Sequence, residues 1–329
     1  MKKHIFYFLP ALVMALGLTA CSDDKLDGQS VIAVTSYEPN EFDTWLEENF
    51  RNPYNINFKY RYEEIESDMN YYTVPATYEE SVKMAHLVKY LCVETYNEVA
   101  GIEFTRSQFP KMFFLIGEWE YRNNGSFILG TAEGGRKILL SGLSYLNPIL
   151  AGESEYNGFP FTFGTDIAEN LNHYYIKTIH HEFTHILNQT KDYPTAFRQV
   201  TPGSYVSDSQ FSEPYNSAYL KRGFISAYAQ TNTGEDFAEM VSEYVTHSPE
   251  WWEAQMKAAD EKWSEDPDQV QTGRVLIEQK LDITRDYMFS TWNIDLDQLR
   301  DCILRRQLDI TSGKIDLTDL TVNGTTSGN

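Results

Sequence analysis

The sequence predicts an α+β fold, in which a small mixed or antiparallel sheet is followed by one long helix and then by a mainly helical C-terminal lobe. Short apolar runs separated by turn residues lie between positions 112 and 141, as expected for strands. Positions 166–188 have apolar residues at helical spacing, and after position 235 helical stretches alternate with breaks. We expect the folded domain to span residues 37–310, with lobes of about 37–189 and 190–310.

The elements before the long helix are one amphipathic helix and a set of strands. A helix is predicted over 78–99, because apolar side chains recur on one face and Gly101 then ends the pattern. The apolar runs predict three strands, at Met112–Ile116, Ser126–Leu129 and Lys137–Leu140. Asn and Gly residues at 123–125 and 134–135 provide the turns between them.

The long helix carries the run His181-Glu182-Phe183-Thr184-His185, which reads HExxH. Two histidines four residues apart lie on one helix face, so both imidazoles can reach a single Zn²⁺. Glu182 follows the first histidine directly, where its carboxylate can take a proton from the attacking water. Because two histidines do not complete a zinc site, a third ligand is expected from another part of the chain.

A second helix, predicted from Glu235 to His247, is the best source of that ligand. Glu235 and Glu239 share a helix face, so one carboxylate can bind zinc while the other accepts the N–H of a ligand histidine. The residues alone leave other readings open. Glu239 could be the ligand with Glu243 behind it, Asp236 is a weaker choice, and the acids could simply form a solvated face.

The remaining histidines have less support as ligands. His180 is rotated by about 100° from His181 around the helix, so we expect it to pack or to support the site. His173 and His247 have no ligand spacing to the motif, and we expect both at the surface. The segment 190–227 between the two helices contains several prolines and is expected to be a long irregular connection that lines the pocket.

The two ends of the chain are expected to lie outside the fold. Residues 1–20 have the pattern of a lipoprotein signal peptide, in which a basic start and an apolar stretch end in the lipobox 18–21. Cys21 would then carry lipid and anchor the protein to a membrane, with 21–36 as a flexible tether. An ordinary secretory signal is the alternative. Residues 311–329 are rich in Thr, Gly and Asn and are expected to form a loose tail.

The composition excludes one class of partner. The formal net charge is −21, so the phosphates of a nucleic acid would be repelled. Apart from Cys21, the chain has Cys92 and Cys302, both in apolar, helix-like surroundings. We expect buried free thiols at these two positions and not a disulfide.

The two acid-bearing motifs together resemble a known pattern. HExxH followed by Glu235-x-x-x-Glu239 looks like the gluzincin arrangement, in which the first acid of the second pair binds zinc. The segment 228–239 is similar to the equivalent part of the anthrax lethal factor catalytic domain. That similarity implies that Glu235 is the ligand and that Glu239 orients a histidine. It also implies that Tyr228 forms a hydrogen bond near the zinc and assists catalysis.

The whole mature chain, with its lipobox, also resembles a group of bacterial lipoproteins described as substrate import-associated zinc metallohydrolases or putative zinc-binding metallopeptidases. This resemblance implies a zincin-like fold, a Zn²⁺ cofactor, an outer-membrane location and a TonB-dependent importer as partner. One departure is the 49 residues between His185 and Glu235. Thermolysin-type enzymes have a much shorter gap, so their substrate-pocket residues do not carry over.

These features lead us to expect a zinc-dependent metallohydrolase that cleaves peptide bonds, with His181, His185 and Glu235 as zinc ligands and Glu182 as general base. Two alternatives remain. One is a surface lipoprotein that binds a substrate for import and has a structural or vestigial zinc site. The other is a zinc amidase or esterase that acts on a non-peptide substrate.

Overall fold

The fold contains a four-stranded mixed sheet, in the order β1-β2-β6-β5. The computed structural model describes residues 38–66, 70–123, 126–133, 135–153, 164–206 and 212–322. The strands are β1 (Asn57–Lys59), β2 (Met112–Leu115), β3 (Glu120–Tyr121), β4 (Phe127–Ile128), β5 (Gly130–Glu133) and β6 (Lys137–Leu140). Strands β1, β2 and β6 are parallel, whereas β5 is antiparallel to β6 and forms one edge of the sheet.

The strands form a small mixed sheet, which agrees with the prediction of a mixed or antiparallel one, but β1, β3 and β5 were not predicted. The run 126–129, expected to be a single strand, contains only β4, which pairs with β3 in a separate antiparallel hairpin. The sheet is completed instead by β5, whose sequence Gly-Thr-Ala-Glu has no apolar pattern. An edge strand needs little apolar character because only part of it is covered, so its sequence gives a weak strand signal.

Helices make up most of the regular structure outside the strands in the described chain and confirm the α+β class. The helices before the motif are α1 (Glu41–Leu46, continued by Glu47–Arg51 and Asn52–Tyr54), α2 (Tyr78–Leu87, continued by Val88–Val93 and Glu94–Ala100), α3 (Ile102–Gln108) and α4 (Leu146–Leu150). The motif helix is α5 (Ile167–Leu171, continued by Asn172–Ile176 and Lys177–Thr190). The later helices are α6 (Thr195–Arg198), α7 (Tyr215–Ala218), α8 (Thr233–Thr246), α9 (Pro249–Ala258), α10 (Gly273–Trp292) and α11 (Leu296–Thr311).

Aromatic packing fixes helix α5 against the body of the protein. Phe183, inside the HExxH run, is fully buried, and its ring lies 4.9 Å from the rings of Tyr96 and Phe109. On α8, the ring of Phe237 lies 4.8 Å from that of Tyr193. Apolar burial of this kind is the main stabilising term in a fold. It fixes each helix against its surroundings, and the two helices lie side by side.

In the described parts of the connection, 190–206 and 212–227, the short helices α6 and α7 lie within otherwise irregular chain. After α11 the chain runs along the core as far as Val322, with Ile315, Leu317 and Leu320 partly buried. The first part of the predicted loose tail is therefore packed. The expected signal peptide, tether and lipidated Cys21 lie outside the described residues, as does 323–329.

Two further observations concern the cysteines and the helices. Cys92 and Cys302 are both buried and free in the described part of the chain, as predicted. Among residues 38–322 that the structure describes, no helix is long and apolar enough to cross a membrane.

Candidate metal centre

Helix α5 brings two imidazoles together at its surface. His181 and His185 are one helical turn apart, and their ring centroids are separated by 4.7 Å. Their Nε2 atoms lie 3.1 Å apart, so the two nitrogens point to a common position. The i, i+4 spacing of the sequence motif produces this arrangement directly.

Helix α8 adds a carboxylate to the same position. Asn232 begins the helix, and its side chain accepts the backbone N–H groups of Gly234 and Glu235. This cap fixes Glu235 in the first turn of α8, facing α5. Its Oε2 atom lies 3.0 Å from Nε2 of His181 and 3.1 Å from Nε2 of His185.

The three atoms form a nearly equilateral triangle that fits a zinc ion. Zinc bonds of about 2.0–2.2 Å at tetrahedral angles place neighbouring ligand atoms roughly 3.3–3.6 Å apart, so adjustments of a few tenths of an ångström suffice. Within the described chain, His181, His185 and Glu235 are the group of His, Cys, Asp and Glu side chains whose ligand atoms converge in this way. Two nitrogens and one oxygen leave a fourth position open, as in catalytic zinc sites.

The charges around the triangle favour a cation. Burial acts to lower the pKa of His181, yet its contacts with Glu235 and Glu239 outweigh that effect and raise the pKa to about 10. Burial acts to raise the pKa of Glu235, yet its contacts with the two histidines lower it to about 2. The group of side chains is therefore built to hold positive charge between the imidazoles and the carboxylate.

Glu239 holds the other nitrogen of His181. Its Oε1 atom lies 2.7 Å from Nδ1 of His181, and its side chain is almost fully buried. Its Oε2 atom accepts hydrogen bonds from Oγ of Ser226 at 2.6 Å and Nζ of Lys177 at 3.1 Å. A carboxylate at Nδ1 keeps the proton on that nitrogen and leaves Nε2 free to bind a metal.

Lys177 connects this carboxylate to a second one. Its Nζ atom lies between Glu239 and Glu243, 3.0 Å from Oε1 of Glu243. Burial acts to lower the pKa of Lys177, but the two carboxylates raise it well above its usual value. Lys177 was not among the predicted site residues, although its position four residues before His181 places it on the same helix face.

His247 was expected at the surface, and that expectation is wrong. The side chain is buried, its Nδ1 atom lies 3.2 Å from Oε2 of Glu243, and its ring stacks on Trp251 at 4.0 Å. The cause is the turn after α8, which folds Trp251 of α9 back over the helix end. His173, in contrast, is exposed as expected.

Glu182 lies beside the triangle and contacts the sheet edge. Its carboxylate accepts the backbone N–H of Ala132 in β5, and burial raises the pKa of Glu182 above its usual value. The strand can come this close because residue 130 is glycine. A Cβ atom there would be 2.9 Å from Cγ2 of Thr178 on α5 and 2.7 Å from the carbonyl oxygen of Leu139.

Tyr228 lies at the mouth of the site, in a short 3₁₀ turn that precedes α8. Its ring centroid is 5.9 Å from that of His181, and 39% of the side chain is exposed. Burial of the hydroxyl, followed by the charges of Glu235 and Glu239, raises the pKa of Tyr228 well above its usual value. The phenol therefore stays protonated at neutral pH and can donate a hydrogen bond.

Two adjoining cavities open beside these residues. The first, of about 440 Å³, has walls formed by Phe127, Ile128 and Leu129 and is named the apolar cavity here. The second, of about 360 Å³, lies along β5 and is named the strand cavity. Glu182 and Tyr228 line both of them, so the pair marks the point where the cavities meet.

The other candidates from the sequence are engaged elsewhere. Asp236 is fully buried and forms an ion pair of 2.6 Å with Lys280, so it does not face the histidines. His180 is fully buried in the core, with Nδ1 at 3.1 Å from the hydroxyl of Tyr96. Its packing position agrees with its rotation away from the motif face.

A helix that brings two HExxH imidazoles to the carboxylate of a second helix, beside a small mixed sheet, is the architecture of a zinc metallohydrolase. Comparison with known proteins gives the family. The model of a family described as "Putative zinc-binding metallo-peptidase" matches residues 35–297, and the chain belongs to this family.

A solved structure supports the same assignment. The chain is similar to a crystal structure described as a putative zinc-binding metallo-peptidase from Bacteroides caccae, with 37% sequence identity and a TM-score of 0.66. The match covers 85% of this chain and 96% of the other. A comparison with curated proteins found no match.

Proposed function

We propose that this protein is a gluzincin-type zinc peptidase in which His181, His185 and Glu235 bind the metal and Glu182 is the general base. One observation carries the proposal: three ligand atoms converge within 3.0–3.1 Å of one another, and Glu182 lies directly beside them. A purely structural zinc site needs no such base and is normally closed by a fourth protein ligand.

The proposed chemistry is a hydrolysis in which each side chain has one task. Zinc, when bound, lowers the pKa of a water molecule and polarises a substrate carbonyl. Glu182 accepts the proton of the attacking water and delivers it to the leaving amine. The N–H of Ala132 orients the Glu182 carboxylate. The raised pKa of Glu182 suits a group that takes up and releases a proton. The hydroxyl of Tyr228 donates a hydrogen bond to the oxyanion of the tetrahedral intermediate.

We propose that the substrate is a peptide bound in an extended conformation along β5. Strand β5 is an edge of the sheet, so backbone groups on its outer side, apart from the N–H of Ala132 that Glu182 accepts, can pair with another chain. The strand cavity follows this edge and reaches Glu182. A peptide that pairs with β5 would therefore place a backbone carbonyl next to the metal ligands.

We also propose an attachment to the outer membrane through lipidated Cys21 and a role beside a TonB-dependent importer. The support is the lipobox at 18–21 and the resemblance to import-associated lipoproteins, and Cys21 itself lies outside the described residues. Replacing Cys21 with Ser should release the protein from the membrane fraction. A protein that stays in that fraction after the change would show that another anchor holds it.

Replacement of Glu182 by Gln tests the proposed reaction. Glutamine has nearly the same shape but cannot accept the proton, so we expect hydrolysis of a peptide pool to fall by at least about 10²-fold. The zinc content should remain at one ion per chain, because Glu182 is not a ligand. A chelator should abolish wild-type hydrolysis. Full activity of the Glu182→Gln variant would refute the role of Glu182 as general base. If the wild-type protein cleaves amide or ester compounds but no peptides, the non-peptide alternative would be favoured.

A further inference from the structure

Arg122 lies at the rim of the site, on the turn between β3 and β4. Its backbone N–H donates to the carbonyl oxygen of Ser126 at 2.7 Å, which closes the turn. The next strand is held firmly, because the ring of Phe127 stacks on buried Trp119 at a centroid distance of 4.3 Å. Arg122 is thus an exposed side chain on an anchored hairpin.

The position of Arg122 relates it to the whole cleft. It lines both the apolar cavity and the strand cavity, as Glu182 and Tyr228 do. The two cavities meet at the reacting centre. Substrate residues on either side of the bond to be cleaved would therefore lie within reach of this guanidinium. The apolar cavity next to it can take an apolar side chain against Phe127 and Ile128.

The charge of Arg122 is available for a ligand. Among the residues that the structure describes, Arg122 forms no ion pair, although the same cavities contain three carboxylates. Those carboxylates have other partners: Glu235 faces the histidines, Glu239 faces Lys177, and Glu182 accepts the N–H of Ala132. Several other exposed arginines of this strongly acidic chain, such as Arg61 and Arg198, are paired with acids. A guanidinium offers a fork of donors that matches a carboxylate.

We propose that Arg122 is a specificity residue that binds a carboxylate of the substrate close to the cleaved bond. This inference rests on the proposed peptidase function. The carboxylate can come from the C-terminus of a short peptide or from an Asp or Glu side chain. Either source can pair with the guanidinium, because Lys177, the other cationic side chain named above at these cavities, is already held by Glu239 and Glu243.

The kinetic test uses synthetic peptide pools that differ only in charge. Octapeptides are prepared as C-terminal acids and as amides, and a second pair of pools exchanges Glu for Gln. We expect the zinc-loaded full-length protein to prefer one charged pool over its neutral partner by roughly five- to tenfold in kcat/KM, and this ratio to fall close to one in Arg122→Gln. The pool pair that shows the preference identifies the source of the carboxylate. Arg136→Gln removes an exposed arginine outside both cavities and should keep the wild-type ratio.

A binding measurement separates this inference from the proposed function. Zinc-loaded Glu182→Gln is equilibrated with the same pools, and the retained peptides are identified by mass spectrometry. The inference is supported if Glu182→Gln retains charged peptides preferentially and the double variant with Arg122→Gln does not. This result would count even if the wild-type protein cleaves no peptide. Equal retention of charged and neutral peptides overturns it. An equal loss of kcat for both members of a pool pair in Arg122→Gln also overturns it, because it would indicate a role in the transition state.

Discussion

Glu239 Oε1 lies 2.7 Å from Nδ1 of His181, while Glu235 Oε2 lies 3.0 Å from Nε2 of the same ring. Two glutamates from one helix face therefore contact opposite sides of one imidazole. This relationship separates two contacts that their spacing in the sequence could not: Glu235 lies on the Nε2 side of the ring, where we propose that the metal binds, and Glu239 lies on the Nδ1 side.

Zinc content should separate these two glutamates. We expect Glu235→Ala to lose most of its zinc, because a ligand is removed. Glu239→Ala should weaken zinc binding only by about 10- to 100-fold, because the orientation and basicity of His181 change while the ligand set remains. Titration against a chromophoric chelator measures both affinities. A larger loss for Glu239→Ala than for Glu235→Ala would mean that Glu239 is the ligand.

Lys177 should be important for stability as well as for the site. Lys177→Met removes the ammonium group that lies between the buried carboxylates of Glu239 and Glu243, and we expect the free energy of unfolding to fall by about 2–4 kcal/mol. Lys257→Met, at an exposed position on α9, is the control and should change stability by less than about 0.5 kcal/mol. Denaturant titration compares the two. Equal stability of both variants would show that the carboxylates do not need Lys177.

Zinc binding should release a proton. The carboxylates raise the pKa of His181 to about 10, so the metal-free ring is protonated at neutral pH and zinc must displace that proton. Glu235 has its pKa lowered to about 2 and contributes no proton. Zinc affinity should therefore rise roughly tenfold per pH unit between pH 6.5 and 8.5. Calorimetry in buffers of different ionisation enthalpy measures the protons released, and a value of zero would contradict the expected state of His181.

Tyr228 should affect the rate and not the metal. Tyr228→Phe removes one hydrogen-bond donor to the oxyanion, so kcat should fall by about 10- to 100-fold with zinc content and fold retained. Tyr72→Phe, at a fully exposed position, is the matched control and should keep wild-type kinetics. An unchanged kcat in Tyr228→Phe would indicate that the tyrosine only lines the cavities.

Much of the fold was accessible from the sequence where one residue pattern decides the structure. The helix over 166–188, the strands at 112–116 and 137–140, and the free thiols of Cys92 and Cys302 all follow from local apolar patterning. The missed features depend on tertiary contacts. Strand β5 has no apolar pattern because it lies at a sheet edge, and His247 is buried only because α9 folds over it.

The site shows the same division. Sequence spacing brings His181 and His185 together, because four residues make about one helical turn. Spacing could not decide which of Glu235 and Glu239 is the third ligand, because both lie on one helix face. Their contacts differ only because of the way α8 packs against α5. Lys177 had no motif to mark it, although its charge lies between two of the acids on α8.

The location of the metal can be observed directly. Crystals of the zinc-loaded protein, measured above and below the zinc absorption edge, should give one anomalous peak among Nε2 of His181, Nε2 of His185 and Oε2 of Glu235, about 2.0–2.2 Å from each. A fourth position occupied by solvent would agree with a catalytic site. A peak ligated by Glu239 in place of Glu235, or a fourth ligand from the protein, would contradict the account.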